Sequence, residues 1–350
     1  MGGASNILES IVINPTSSTQ LRAVDLSNNR LSSVPLSGLP PTLMRLNVSN
    51  NSIAEFDFAA LPANLATLDV SLNKIQAVAL GASSSALQEL YVSGNAVTSV
   101  AYSTLPGALR RLVLRSNQLA GPLTWAARLT KLQWLDVSLN KFSGPLDFTA
   151  FPTTLTTLLV AGNQLSGTVN WAPLHSFTIE NLWIQFNQLS GPLDMSFLKY
   201  RQETMENYGS FIASHNQFSG SVTLPPCNSE TYGWWDYIDV SFNALSGPLN
   251  LTAIGCLNYF IASNNRFSGP MNLPSMPGYL ADVSNNAFSG AFSLPSGMWY
   301  FRDQLNISGN NGLCGMAKTL LPCPSIVAPA KCTTQAIGNG ACVVNCPKCP

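Results

Sequence analysis

The chain holds only two imidazoles, His175 and His215, and neither has a sequence partner that would make it the base of a nucleophilic pair. Asp236 and Asp239 could imitate the carboxylate pair of a glycoside hydrolase, but Asp is a common exposed choice there, and the neighbouring repeats place Ile212 and Ile261 at that point. No phosphate-binding loop, G-x-S-x-G, H-E-x-x-H or kinase signature occurs. Cys332, Cys342, Cys346 and Cys349 could hold zinc, yet the paired C-x-x-C spacing of a zinc ribbon is missing, and disulfides suit them better. What remains is chemistry for recognition. Arg110, Arg111 and Arg115 supply guanidinium forks that fit a carboxylate or sulfate, and Trp134, Leu159, Trp183, Tyr237 and Tyr259 supply apolar contact area. An extended ligand could set an acidic end on the arginines and its apolar part on Trp134 and Trp183. Arg111 pairing with Glu89 or Asp136 on neighbouring strands is an equal alternative that needs no ligand.

These residues are placed by a repeat. Asparagines at 29, 51, 73, 95, 117, 140, 163, 187, 216, 243, 265, 286 and 310 mark thirteen units. Apolar residues stand eight, five and three places before each Asn and two after it, as in Leu21, Val24, Leu26 and Leu31. Those columns hold 49 apolar residues in 52 places, where a 46% hydrophobic composition gives about 24. The alternation suits a short strand with Leu and Val facing inward, so stacked coils share one parallel sheet. The Asn can satisfy backbone groups orphaned by the turn after the strand. A Ser column two places before the Asn supports that turn. Solvent-facing positions run from Arg22, Asp25, Arg45, Asn47, Asp69 and Glu89 in early coils to Trp134, Trp183, Ile212, Tyr237, Tyr259, Ile261 and Tyr279 later. Large apolar groups on such positions mark interaction sites. Phe186 and Phe242, just before their Asn, instead pack along the edge as a column.

The pattern LxxLxLxxNxL resembles the leucine-rich repeat superfamily over Leu21 to Leu313. From the fifth unit a Gly follows the Asn at the fourth place, often with Pro, as in Gly121 and Pro122 or Gly247 and Pro248. This SGPL signature is similar to plant-type repeats, in which a second short strand follows the turn. The first four units carry LP-type loops, so the solenoid is a composite. Kinetoplastid surface-antigen-like proteins carry similar SGxL repeats followed by Cys-rich segments, and the chain resembles that group more than plants. The resemblance implies that NNGLCGMAKTLLPC is a closing cap with Cys314 bonded to Cys323. Extra chain after Pro192 and after Ser221 forms loop insertions, the first with a short helix near Phe197, Tyr200 and Met205.

Equal numbers of basic and acidic groups, 17 each among 350 residues, remove the electrostatic case for nucleic acid or an anionic membrane. No apolar run reaches the ~20 residues of a membrane span. The N-terminus lacks signal-peptide features, so the chain reads as a fragment. Cys227 and Cys256 occupy nearly the same place on adjacent coils, which predicts a disulfide between them. Asn47, Asn50, Asn250 and Asn306 are glycosylation candidates.

The expectation is a largely β, α/β-type solenoid: a right-handed horseshoe of about thirteen coils with a parallel concave sheet and a disulfide-bearing cap. Residues 1–20 are a flank or partial first coil, 21–313 the repeats, 314–324 the cap and 325–350 the start of a Cys-rich segment. The resemblance implies an extracellular or cell-surface module without catalytic activity or cofactor, binding a protein, peptide or glycan on its concave face, with self-association open. A structural coat protein and the ectodomain of a receptor-like kinase are the competing readings.

Overall fold

The computed structural model describes residues 7–12, 20–198, 209–222, 224, 235–251, 257–273, 279–293, 304–319, 326–336 and 342–347. They fall into two compact units, Met1–Leu165 with Ser176–Ile179, and Ser166–His175 with Glu180–Pro350. Each unit is a solenoid built on a parallel sheet. In the first, the strands follow chain order: Ala23–Asp25, Arg45–Asn47, Thr67–Asp69, Glu89–Tyr91, Arg111–Val113, Trp134–Asp136 and Thr157–Leu159. In the second they are Asn181–Trp183, Gly209–Ile212, Trp235–Asp239, Tyr259–Ile261, Leu280–Asp282, Gln304–Asn306 and Ile326–Val327. Equivalent residues pair, so Arg111 stands between Glu89 and Trp134.

Strand alternation follows from burial. The central residues Leu46, Leu68, Leu90, Leu112 and Leu135 are sealed inside, while their neighbours along the strand point to the other face. The outer side of the first unit is made of 3-10 turns such as Phe58–Ala60 and Phe148–Ala150. Asp57 and Asp147 start these two by accepting from the Ala59 and Thr149 backbone N–H groups. A second row of short parallel strands follows the Gly-bearing turns, including Lys141–Gly144 in the first unit and Gln217–Gly220, Ala244–Gly247 and Arg266–Gly269 in the second. The Gly of this row has φ from +79° to +93° in every coil, a region closed to side chains. Earlier coils lack that Gly and show only the short pair Ala77–Val78 with Ser99–Val100.

The Asn column ties each coil to the one before it. Asn140 Nδ2 donates to Val137 O at 3.0 Å and Ser138 O at 3.2 Å in its own turn, and to Leu114 O at 3.0 Å in the preceding coil. Its Oδ1 accepts from Leu119 N at 3.0 Å. Asn73, Asn117, Asn163, Asn243 and Asn286 make the same donations. The side chain thus satisfies backbone groups on both sides of a bend that water does not reach.

The residue before each Asn pays for this bend in backbone strain. All thirteen, from Asn28 to Gly309, have φ between +51° and +73°. Asn, Gly and Ser fill eight of the thirteen, as the left-handed region favours. Leu72, Leu139, Phe186, His215 and Phe242 do not fit that preference, and contacts along the column offset the strain. Leu72 and Leu139 lie where a Cβ on Gly94 or Gly162 would come within 2.7 Å of them. The rings of Phe186, His215 and Phe242 stack at 4.3 and 4.2 Å, so the edge column foreseen for the two phenylalanines exists with an imidazole between them.

The repeats run further than the Asn ruler suggested at the N-terminus. Leu8 N donates to Asn29 Oδ1 and Leu8 O accepts from Arg30 N, which is the bonding Leu31 makes to the next coil. Leu21, in an inward column, is still 36% exposed. Near the other end, Ile326–Val327 joins the sheet beside Gln304–Asn306. Met316–Thr319, Thr333–Ala336 and Cys342–Asn345 form a small antiparallel sheet, held by a Cys332–Cys346 disulfide. That bond removes two of the four ligands from the zinc reading. Cys314 is disulfide-bonded. Cys227, Cys256 and Cys323 lie outside the described residues, as do Tyr200 and Met205 of the expected helix; Phe197 is buried and stacks on Trp171 at 5.7 Å.

Two stability outcomes follow from these contacts. Asn140→Ala leaves the buried Leu119 N–H without a partner and should cost about 2–3 kcal/mol in urea unfolding, whereas a change below about 0.5 kcal/mol would mean that the turn closes without the side chain. Tyr102 and Trp125 stack at 4.2 Å with the phenol and indole polar atoms shielded and unpartnered, and burial pushes the Tyr102 phenol up to about 12. Because the folded phenol is raised, the native protein loses stability as pH climbs from the ordinary tyrosine range toward that value. Tyr102→Phe should match or exceed the native protein by up to about 1 kcal/mol at neutral pH and lack that alkaline loss; a destabilised variant would show the hydroxyl to be bonded.

Candidate functional site

On the solvent-facing side of the sheets, one column has a structural task. Asp25, Asn47, Asp69, Asp136, Asp239, Asp282 and Asn306 each accept from the backbone N–H of the Ser two residues later, at 2.8–3.2 Å. The Ser27 N–H is the main reason the Asp25 carboxyl is held below the usual carboxylate range. The Ser column therefore supports the turn through its backbone, with an added hydroxyl bond at Ser241 and Ser308. Six coils abandon the arrangement, placing Tyr91, Val113, Leu159, Trp183, Ile212 and Ile261 in that column.

In the first unit the departure at Tyr91 and Val113 coincides with the arginines. The Arg111 guanidinium carbon lies 4.2 Å from the Trp134 ring centroid, a cation–π contact across adjacent strands. Among the described residues Arg111 forms no ion pair, so neither Glu89 nor Asp136 claims it as the ligand-free alternative required. Glu89 instead accepts from the Tyr91 hydroxyl at 3.1 Å. Burial first, then the Glu89 charge, raise the Tyr91 phenol above its ordinary value. Arg115 is exposed two residues beyond the end of the Arg111–Val113 strand. Leu159 is 6% exposed, and its strand neighbours Thr157 and Leu158 are buried too. It backs the surface without adding contact area, standing across from Asp136 on the neighbouring strand.

In the second unit the aromatic residues organise one another. Trp183 Nε1 donates to Ser210 Oγ at 2.7 Å, and that hydroxyl donates to Asn181 Oδ1 at 2.7 Å. Tyr237 and Tyr259 sit on paired strands with ring centroids 5.5 Å apart, and Tyr279 continues the row at 5.3 Å. Ile212 and Ile261 are half-buried beside them. Nothing in the sequence signalled the Trp183–Ser210–Asn181 relay except a small polar residue across from Asn181.

The residues that could have done catalysis are otherwise engaged. Asp236 accepts from Asn258 Nδ2, and Asp239 Oδ1 accepts both the N–H and the hydroxyl of Ser241. His215 is sandwiched between two phenylalanines. His175 Nε2 lies 3.2 Å from Ser196 Oγ and its Nδ1 3.2 Å from Ala172 O, a pairing the sequence spacing concealed. Both residues are exposed on connecting segments. Of the sequon asparagines, Asn50 and Asn250 are exposed, while Asn47 and Asn306 are half-buried and hold turns through Oδ1. Asn50 Nδ2 also donates to Asn28 Oδ1 at 2.9 Å.

Coils of this register, with an Asn ladder and one strand of the main sheet per turn, define the fold as a leucine-rich repeat solenoid. A family model described as Leucine Rich Repeat matches residues 20–41. No curated protein matches the sequence. Among solved structures, the chain is similar to the PEPR1–AtPEP1 complex, with 22% identity, a TM-score of 0.62, and coverage of 84% of this chain and 44% of that one. It is similar to the plant peptide hormone receptor RGFR1 in complex with RGF2, with 21% identity, a TM-score of 0.57, and coverage of 85% and 58%. It is also similar to YopM from Yersinia enterocolitica, with 25% identity, a TM-score of 0.60, and coverage of 88% and 59%. The chain thus spans about half the length of these proteins.

The Arg111–Trp134 contact is open to a direct reading. Arg111→Ala should uncover the Trp134 ring and raise its acrylamide quenching at least about twofold without changing the fold. Unchanged quenching would mean that the guanidinium does not cover the ring in solution.

Proposed function

We propose that the chain is a non-enzymatic recognition module working outside the cell, which takes a protein, peptide or glycan on the solvent-facing side of its sheets. The observation that carries this reading is the substitution of large groups for the turn-holding Asp or Asn column in six coils. Leaving that column forfeits a charge-assisted hydrogen bond per coil, and Trp, Ile and Tyr there gain nothing from water. Each unit contributes a surface: Arg111, Arg115 and Trp134, backed by Leu159, in the first; Trp183, Tyr237 and Tyr259 in the second. The arginines suit a carboxylate or sulfate and the aromatic groups suit apolar side chains or sugar faces. The peptide complexes among the structural neighbours support this use of the fold, and the Cys332–Cys346 disulfide supports an oxidising setting. The SGxL signature favours repeats of the plant type, in a surface protein like those of kinetoplastids.

The test is binding of the intact chain to peptide and glycan arrays, beside a variant carrying Trp134→Ala, Trp183→Ala and Tyr237→Ala. Ligands bound by the native chain should lose at least about tenfold in affinity in the variant. Equal binding by both proteins, or by neither, would overturn the assignment and move a self-associating coat ahead of it.

A further inference from the structure

The aromatic sheet face of the second unit also carries a charge pattern. Its solvent-facing strand positions and the residues flanking them include Asp236, Asp239 and Asp282, whereas no Lys or Arg stands on these strands among the described residues. The first unit is mixed instead, with Arg22, Arg45, Arg110, Arg111 and Arg115 on the corresponding strands or beside them and Asp25, Asp69, Glu89 and Asp136 on the same strands. In the second unit the carboxylates lie among the rings. Asp239 is two residues beyond Tyr237 on one strand, and Asp282 pairs across from Ile261, two residues beyond Tyr259. Burial first, and then the Asp239 charge, hold the Tyr237 phenol above its ordinary value, so this negative field reaches the ring.

Resting on the recognition reading above, we propose that the Tyr237–Tyr259 face of the second unit is the docking surface for a basic, extended polypeptide segment whose Arg and Lys side chains lie among the tyrosines and Asp239 and Asp282. Three features select that occupant. Aromatic rings attract cations through their quadrupole, and carboxylates beside them add direct charge complementarity. Half-buried rings shed water from the site, where a cation–π contact is strongest. The chain itself makes this contact in its first unit, where the Arg111 guanidinium covers Trp134 at 4.2 Å. The row of rings runs across the strands at 5.5 and 5.3 Å, which suits a chain laid along the sheet more than a single small ion. An acidic or neutral segment would leave the charges of Asp239 and Asp282 facing it unpaired.

Charge can be removed without breaking the turns. Asp239 and Asp282 use one oxygen to hold Ser241 and Ser284, and Asn47 and Asn306 perform that task elsewhere in the chain. The Asp239→Asn, Asp282→Asn double variant therefore keeps the fold and loses two charges. Affinity of the intact chain would be measured by fluorescence anisotropy for three extended peptides of equal length, rich in Arg and Lys, in Glu, or in Ser and Gln. The basic peptide should bind at least about tenfold tighter than the others, weaken with added salt, and lose at least about fivefold in the double variant and in Tyr259→Leu. The inference is overturned if the basic peptide binds the double variant as tightly as the native chain. It also falls if the acidic or neutral peptide is preferred; if that peptide is then lost in Trp183→Ala, the recognition reading stands without it. If no peptide and no glycan binds, both fall together.

Discussion

Everything in this molecule hangs on an amide that serves two coils at once. Each buried Asn closes its own turn with Nδ2 and reaches the previous coil with both ends of the side chain, as Asn140 does with Leu114 and Leu119. This fixes where each strand begins relative to its neighbour, so equivalent residues stand in rows across a sheet. It also forces the preceding residue into the left-handed region in all thirteen coils. A helix or hairpin holds its register through local bonds, whereas here the register is handed from coil to coil. A single lost Asn is therefore felt on both sides.

The rows made in this way separate what is structural from what is free to vary. Inward positions are set by packing, and one outward column is set by the Asp or Asn that accepts from Ser. A coil that keeps this column can still present a large group two residues earlier, as the coils of Asp136 and Asp239 do with Trp134 and Tyr237. The six coils that drop it are where Tyr91, Trp183 and the isoleucines appear, next to the Arg111–Trp134 pair in one unit and the tyrosine row in the other. Leu72, Leu139 and Phe186 depart from a rule too, but their strain is offset by Gly94, Gly162 and the stacked rings along the column. Departure alone is not a site; Tyr91 and Trp183 use their polar ends internally, on Glu89 and Ser210, and leave their rings half-buried on the sheet face.

Much of this was legible in the sequence, because a constraint repeated thirteen times rises above chance at every column. The strands, the inward Leu and Val and the edge position of Phe186 and Phe242 follow from spacing, while the second strand after the Gly turns follows from the resemblance of the SGPL signature to plant-type repeats. The side-chain choices at the candidate surfaces do not. Glu89, Arg111 and Trp134 are neighbours in register, but register cannot say whether a guanidinium turns to a carboxylate or to a ring, since both are within reach. The left-handed column was readable from its Asn, Gly and Ser content, had the five bulky residues not masked it.

The same logic orders the two surfaces by what they can discriminate. An aromatic row gives contact area to many ligands, and area by itself does not set affinity. Discrimination comes from groups that a wrong ligand would leave unpaired. In the first unit that group is the Arg111 guanidinium, laid over Trp134 with no ion pair among the described residues, which penalises a partner without acceptors. In the second they are carboxylates that keep a free oxygen after holding their turns, which penalise a partner without cations.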